Sequence, residues 1–442
     1  MLMPEHRSTG QTKKKRRLLP IVSVFLVACY LAVLTWYFTH GFKGVQEPDD
    51  TAAAPAVTEP AVSPYTPYPV TSDEPALPEQ NADTEEFAAP AIKVKGLYIA
   101  AWYADNEERM AGYIDICDTT EINTLVIDVK DDLGQITYKT DTEGLSGTSV
   151  RIIPDIETLI ATLKSHGVYT IARVVCFLDP VWSRLHPELA IKNTMGEPWK
   201  DGKGNTWLDP YNHGSWDYIA AVASDAARVG FDEVQLDYVR FPSDGNLGSI
   251  DYGSAGAAMA KTEAVSDFVS HIRAVLAEKG VRLSADVFGI IAISEVDSES
   301  IGQDMGLLLR SADCLSPMIY PSHFANKRQN GVGQIINGVL FEAPDLEPYG
   351  VVYNILLGTR DHLSADSGQA VIRPYLQYFT ADYLGAGYYQ QYTHEQVRQQ
   401  IRAVYDAGFD EWIIWNHWSV YDAGAFEAAV AGERKFETAN RA

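Results

Sequence analysis

Cysteine is scarce in this chain. Four in 442 residues exclude a scaffold built on disulfides. No pair of them has CxxC spacing, and Cys117, Cys176 and Cys314 fall in one predicted helix and two predicted strands, as core thiols do. Basic residues are also few. Lys and Arg number 35 against 59 Asp and Glu, for a formal charge of −24. Nucleic acid is therefore excluded as a partner, because phosphate binding needs clustered Lys and Arg. HExxH is absent, and so is the GxSxG elbow of α/β-hydrolases. The turn after the first predicted strand is Ala100-Ala101-Trp102-Tyr103, not the Gly-rich loop that cradles a nucleotide. The histidines show no tight ligand spacing, and no repeat of 20–50 residues is present.

The charge that is there is unevenly placed. Residues 1–44 hold seven bases and one acid, Glu5, so the remainder carries 28 bases and 58 acids, or −30. Lys13-Lys14-Lys15-Arg16-Arg17 precedes Leu18–Phe38, 21 residues without a charge and long enough to span a bilayer as a helix. Trp36 and Tyr37 stand at its far end, as an interfacial belt would. The positive-inside rule then puts residues 1–17 in the cytoplasm and the bulk of the chain outside. Two other readings compete: a lipoprotein signal at Leu26-Val27-Ala28-Cys29, and a cleaved signal peptide. Both also export the remainder. Residues 45–91 hold nine of the 22 prolines and no Lys or Arg, which describes a stiff, solvated tether. The expected organisation is a cytoplasmic segment 1–17, a signal anchor 18–38, a linker 39–91 and one domain over 92–442, with the membrane and a polysaccharide as partners.

Residues 92–442 alternate between strand and helix patterns. The predicted strands are Val94–Ala100, Thr124–Val129, Thr170–Phe177, Glu233–Arg240, Arg282–Phe288, Cys314–Tyr320, Val371–Phe379 and Glu411–Trp415. Helical periods cover Glu107–Cys117, Ile156–His166, Trp216–Val229, Glu263–Lys279, Gly302–Arg310 and Glu395–Ala407, with Tyr349–Leu357 a weaker seventh. Eight such units predict a (β/α)8 TIM barrel, an α/β fold; a doubly wound open sheet is the runner-up.

In a barrel alternate strand residues face the interior, and chemistry sits at the C-terminal strand ends. Leu125, Ile127 and Val129 share one parity, which leaves Val126, Asp128 and Lys130 on the other. Gln235 and Asp237 point inward on the fourth strand; Ser284, Asp286 and Phe288 do so on the fifth, and Ser316, Met318 and Tyr320 on the sixth. Arg173 and Gln377 follow from the same reasoning. Asp128, Asp237 and Asp286 would converge on one pit, with Lys130, Arg173 and Arg240 as counter-charges. A structural ion pair with Lys130 or Arg173 is the competing role for Asp128. Paired carboxylates in a pit can hydrolyse a glycosidic bond, one protonating the leaving oxygen and the other attacking or activating water. Trp102, Trp207, Trp415 and Asn416 lie at strand ends or in loops, where rings and amides grip sugars.

Three stretches are more specific: TLVIDVKDDLG at 124–134, GNTWLDPYN at 204–212 and GFDEVQLDYVRFP at 230–242. Together they resemble the bacterial glycosyl hydrolase domain family of (β/α)8 barrels, itself distantly similar to α-amylase-type barrels, over roughly residues 92–420. That resemblance implies glycosidase activity. By analogy with amylase-type barrels it makes the fourth-strand Asp237 the nucleophile, with the acid at or after strand five. Asp286 is on that strand, and Glu295, in the loop after it, is the reserve. Asp209 in WLDP binds substrate or caps the next helix. The expected function is hydrolysis of a surface or environmental polysaccharide without a cofactor. Tyr320 and Arg240 would orient the carboxylates, and Asp128, Lys130, Arg173 and Asp209 would line the substrate site. The alternatives are a non-catalytic glycan-binding barrel and a substrate-assisted hydrolase of N-acetylated sugars.

Overall fold

The computed structural model describes residues 92–363 and 370–429. The basic cluster, the expected anchor 18–38 and the linker 39–91 lie outside the described residues. Among the described residues no helix is long and apolar enough to cross a membrane.

Eight parallel strands close on themselves. They are β1 Lys95–Ile99, β2 Thr124–Lys130, β3 Tyr169–Val175, β4 Glu233–Asp237, β5 Arg282–Phe288, β6 Cys314–Ile319, β7 Tyr375–Gln377 and β8 Trp412–Trp415. Each pairs with the next in sequence, and β1 pairs with both β2 and β8 (Leu97 opposite Leu125 and Ile414), so no barrel edge is left open. The helices that flank the strands include α1 Glu107–Thr119, α2 Ile156–Ser165, α3 His213–Val229, α4 Lys261–Ala277, α5 Met305–Ser311, α6 Pro348–His362 and α7 His394–Asp406. Their starts carry the expected chemistry. Asp155 accepts from the Thr158 N–H at the head of α2, and Gly230, at φ +105°, ends α3 in a left-handed turn closed to an L side chain.

Alternation along the strands separates two apolar zones. Leu97, Ile127, Val174, Leu236, Ala285 and Leu315 face the helices and form the main core with residues such as Ile219 and Phe268. Tyr98, Val126, Ile171, Tyr320, Tyr375 and Ile413 fill the barrel interior. That interior is unusually polar and layered. Toward the N-terminal strand ends Arg373 bridges Glu233 (2.7 Å) and Glu411 (2.9 Å), all three buried. Above it Tyr375 OH donates to Gln235 (2.5 Å), and Gln235 Nε2 donates to Ser316 (3.1 Å). The carboxylates of the candidate site form the next layer.

Three features differ from the sequence reading. A pair of short strands, Ile136–Tyr138 and Ser149–Ile153, extends the sheet beside β2 where a loop was expected. The seventh strand is split into Val371–Ile372 and Tyr375–Gln377, because Pro374 has no N–H for the ladder. Finally, the β2–β3 register slips between Asp128 and Lys130. Asp128 lies opposite Arg173, but Lys130 lies opposite Val174, so the alternation that aims Asp128 inward does not extend to Lys130.

Candidate active site

The C-terminal ends of β2, β3, β4 and β5 deliver Asp128, Arg173, Asp237 and Asp286 to one buried layer, none more than 6% exposed. Arg173 stands between two carboxylates. Its Nη1 donates to Asp128 Oδ1 at 2.7 Å; its Nε and Nη2 donate to Asp237 Oδ2 at 3.0 and 2.5 Å. Tyr98 OH on β1 donates to Asp128 Oδ2 at 2.5 Å. Tyr98 stacks on Trp415 with centroids 3.8 Å apart, and both rings face the guanidinium at 5.6 and 5.5 Å. A buried guanidinium is thus shared by two carboxylates and roofed by two rings.

Asp237 is also held by backbone. Its Oδ1 accepts the N–H of Tyr238 at 2.6 Å, and Tyr238 sits at φ +50°. A non-glycine residue there carries strain of order 1 kcal/mol, which the surrounding packing must offset. The turn brings the N–H back onto the carboxylate that precedes it.

Asp286 is different in kind. The register puts Leu236 opposite Ala285, so Asp237 and Asp286 are cross-strand neighbours. Asp286 is 2% exposed, and its Oδ1 has no hydrogen-bond partner. Burial pushes its carboxyl well above the ordinary range, the neighbouring Asp237 charge pushes further, and Arg173 opposes both. Burial also raises Asp128, with Arg173 pulling it back. The layer therefore sets a carboxyl whose burial favours its protonated form beside one held in an ion pair. Gln303, absent from the sequence reading, ties the strand ends together. Its Nε2 donates to the carbonyls of Val239 and Asp286 (both 3.3 Å), and its Oε1 accepts from the Phe288 N–H (3.0 Å). Tyr98 was also missed, although the alternation between Leu97 and Ile99 marks it as inward. No local signal marks Gln303.

The other expected residues divide. Tyr320 and Trp415 border the pit, with centroids 6.4 Å apart. Trp102 lies after β1 and is 58% exposed, a free ring at the barrel mouth. Arg240 is buried near the mouth among Trp207, Tyr238 and Phe288. Five residues are not joined to the pit as expected. Lys130, past the register slip, makes a fully buried ion pair with Asp179 (3.0 Å) and contacts neither Asp128 nor Arg173. Trp207 is buried, its indole N–H bonded to Asp201, so it presents no open face. Asn416 spends its amide on the Tyr378 and Val420 carbonyls and its oxygen on the Trp418 N–H, which shapes the β8 loop. Glu295 is exposed at the start of the short helix Glu295–Ile301 and takes no part in the bonds of the pit. Asp209 is half-buried, accepts from the Tyr211 N–H and is pushed up to about 6 by burial. It does not cap α3; Asn212 does. Asp131 shapes its own turn through Oδ1, and among the described residues no group of three or more His, Cys, Asp or Glu is arranged to hold a metal ion.

A closed (β/α)8 barrel with a carboxylate layer at its C-terminal strand ends is the form of a glycosyl hydrolase-like domain. Residues 96–421 match the family described as "Putative glycosyl hydrolase domain", and the chain belongs to that family. Among curated proteins none matches. Of solved structures, a hypothetical protein from Ruminiclostridium thermocellum is 38% identical over 44% of this chain and 99% of its own, at a TM-score of 0.40. The PgaB (BpsB) glycoside hydrolase domain from Bordetella bronchiseptica is 13% identical, covers 74% of this chain and 94% of its own, and has a TM-score of 0.55. At that identity the second likeness speaks for the fold alone.

Proposed function

We propose that this chain is a glycoside hydrolase in which Asp286 is the general acid and Asp237 the nucleophile or base. The observation that carries the reading is the contrast between the two neighbours. Asp286 is buried, raised and unpartnered at Oδ1, whereas Asp237 is ion-paired to Arg173 and held by the Tyr238 N–H. An acid must arrive protonated and its partner must be a carboxylate, and a buried, raised Asp286 beside an ion-paired Asp237 is suited to that division. Asp128 then serves as a positioning residue, holding Arg173 on Asp237. The substrate is a polysaccharide, supported by the exposed Trp102 ring and the Tyr320–Trp415 border. We also place the domain outside the cell on an N-terminal anchor, a reading supported by the basic cluster and the apolar run Leu18–Phe38.

The test is reducing-end release from bacterial wall and secreted glycans by the full chain. Asp237→Asn is expected to lose at least about 100-fold. Asp286→Asn is expected to fail on polysaccharide but to retain much of the rate on aryl glycosides whose leaving group needs no proton. Equal loss on both substrates would remove Asp286 from the acid's role. Saturable glycan binding without release would favour a non-catalytic barrel.

A further inference from the structure

Four cations are buried among the described residues: Lys130, Arg173, Arg240 and Arg373. Three are matched. Lys130 pairs with Asp179, Arg173 with Asp128 and Asp237, and Arg373 with Glu233 and Glu411. Among the described residues Arg240 has no ion pair, although it is only 5% exposed. Its hydrogen bonds all leave from Nη1, to the Phe241 carbonyl (2.9 Å) and Ser243 Oγ (3.1 Å). Nε and Nη2 donate to nothing among the described residues. Asp244 feels the charge, but its carboxylate accepts from the Gly202 N–H and does not reach the guanidinium.

A buried charge without a counter-ion costs several kcal/mol, and ring faces offset only part of that. The rings here are Phe288 at 4.8 Å, Trp207 at 5.2 Å and Tyr238 at 5.3 Å from the guanidinium carbon. They hold it flat and fix its orientation. Its position is also particular: Arg240 follows Asp237 by three residues, and Phe288 follows Asp286 by two on the inward side of β5. A planar fork whose Nε–Nη2 edge is open, immobilised in the loop that leaves β4 just after Asp237, is built to take a planar or tetrahedral anion in bidentate fashion.

We propose that Arg240 is a specificity-determining residue that binds an acidic substituent, a carboxylate or a sulfate ester, on the sugar seated next to Asp237 and Asp286. The proposal rests on the hydrolase reading for its substrate class and deepens it from a polysaccharide to an acidic one. The strongly negative chain disfavours a polyanion at long range, so recognition here is local and does not come from a basic surface.

The experiment is a binding titration of the full-length chain, as wild type and as Asp237→Asn. The probes are uronate-containing oligosaccharides, the same oligosaccharides after carboxyl reduction, and a sulfated neutral series. The acidic forms are expected to bind at least about tenfold more tightly than the reduced ones, the equivalent of one charged bidentate contact. Arg240→Met should abolish that preference, and Arg240→Lys should retain part of it. Preference for uronate or for sulfate identifies the source of the charge. Equal affinity for acidic and reduced probes in the wild type, or no binding of any acidic probe at millimolar concentration, overturns the proposal whatever the folding of the variants. Because binding is read without turnover, an acid-selective but inert chain would sink the hydrolase reading and leave this one standing. Hydrolysis of neutral glycans alone would do the reverse.

Discussion

Asp131 shows how one buried side chain couples the stability of this fold to pH. Burial pushes its carboxyl up to about 7, and its Oδ2 lies buried without a partner while Oδ1 holds the Leu133 and Gln135 N–H groups. Its ordinary value is 3.8, so between about pH 4 and 7 the folded chain binds more protons at this residue than the unfolded one does. The carboxylate therefore opposes folding increasingly as pH rises through that window. Asp131→Asn keeps the acceptor and removes the charge. Its unfolding free energy relative to wild type, read by denaturant titration, is expected to climb from pH 4 to 7 and then level off, by an amount on the order of 2–4 kcal/mol. A difference that stays flat with pH would refute the assignment. For Asp286, also raised by burial and placed in the proposed machinery, the same physics appears in turnover. The alkaline limb of kcat/KM should belong to Asp286, so activity falls as pH rises through its folded value and the limb is missing from residual Asp286→Asn activity.

At the scale of the element, the end of β2 decides which charges enter the pit. The register slip after Asp128 sends Lys130 to Asp179, where both side chains are fully buried and Lys130 also donates to the Val175 carbonyl at 2.6 Å. Asp179 in turn caps the short helix Trp182–Leu185 through the N–H groups of Val181 and Trp182. Gly134, at φ +82°, leaves room for it; a Cβ there would stand 2.3 Å from Asp179 Oδ1. Lys130→Met is expected to cost about 3–5 kcal/mol in denaturant unfolding, because it strands a buried carboxylate. Its kcat per folded molecule should stay near that of the wild type, since Lys130 touches no group of the pit. A selective loss of kcat at unchanged stability would place Lys130 back in the chemistry.

Taken whole, the molecule pairs a polar-lined barrel with a proposed N-terminal anchor. The Glu233–Arg373–Glu411 cluster and the Tyr375–Gln235–Ser316 bonds put hydrogen-bonding groups beneath the carboxylate layer, where a barrel more often packs aliphatic side chains. Those layers hold Arg173 and its carboxylates at a defined height above a rigid floor. The proposed anchor gives a separate expectation. The full chain should sediment with membranes, resist high salt and be released by protease added from outside, with cleavage inside residues 39–91. Recovery in the soluble fraction without cleavage would contradict the anchor.

The sequence by itself determined the eight strands, the order of the helices and the inward parity of Asp128, Arg173, Asp237 and Asp286. These depend on period, capping residues and turn glycines, all local properties. It also marked the basic and apolar N-terminal run. Only tertiary structure decided which inward charges meet. Alternation would carry Lys130 inward with Asp128, but a one-residue slip between β2 and β3 reverses it. Gln303 bridges two strand ends from a loop with no distinguishing pattern. Trp207 and Asn416 sit where a sugar-binding residue would, yet their polar atoms are spent on Asp201 and on loop carbonyls. Parity states which side of a strand a residue faces. Whether its charge is matched depends on partners 45 to 140 residues away, as in Arg173–Asp128 and Arg373–Glu233, and folding alone brings those together.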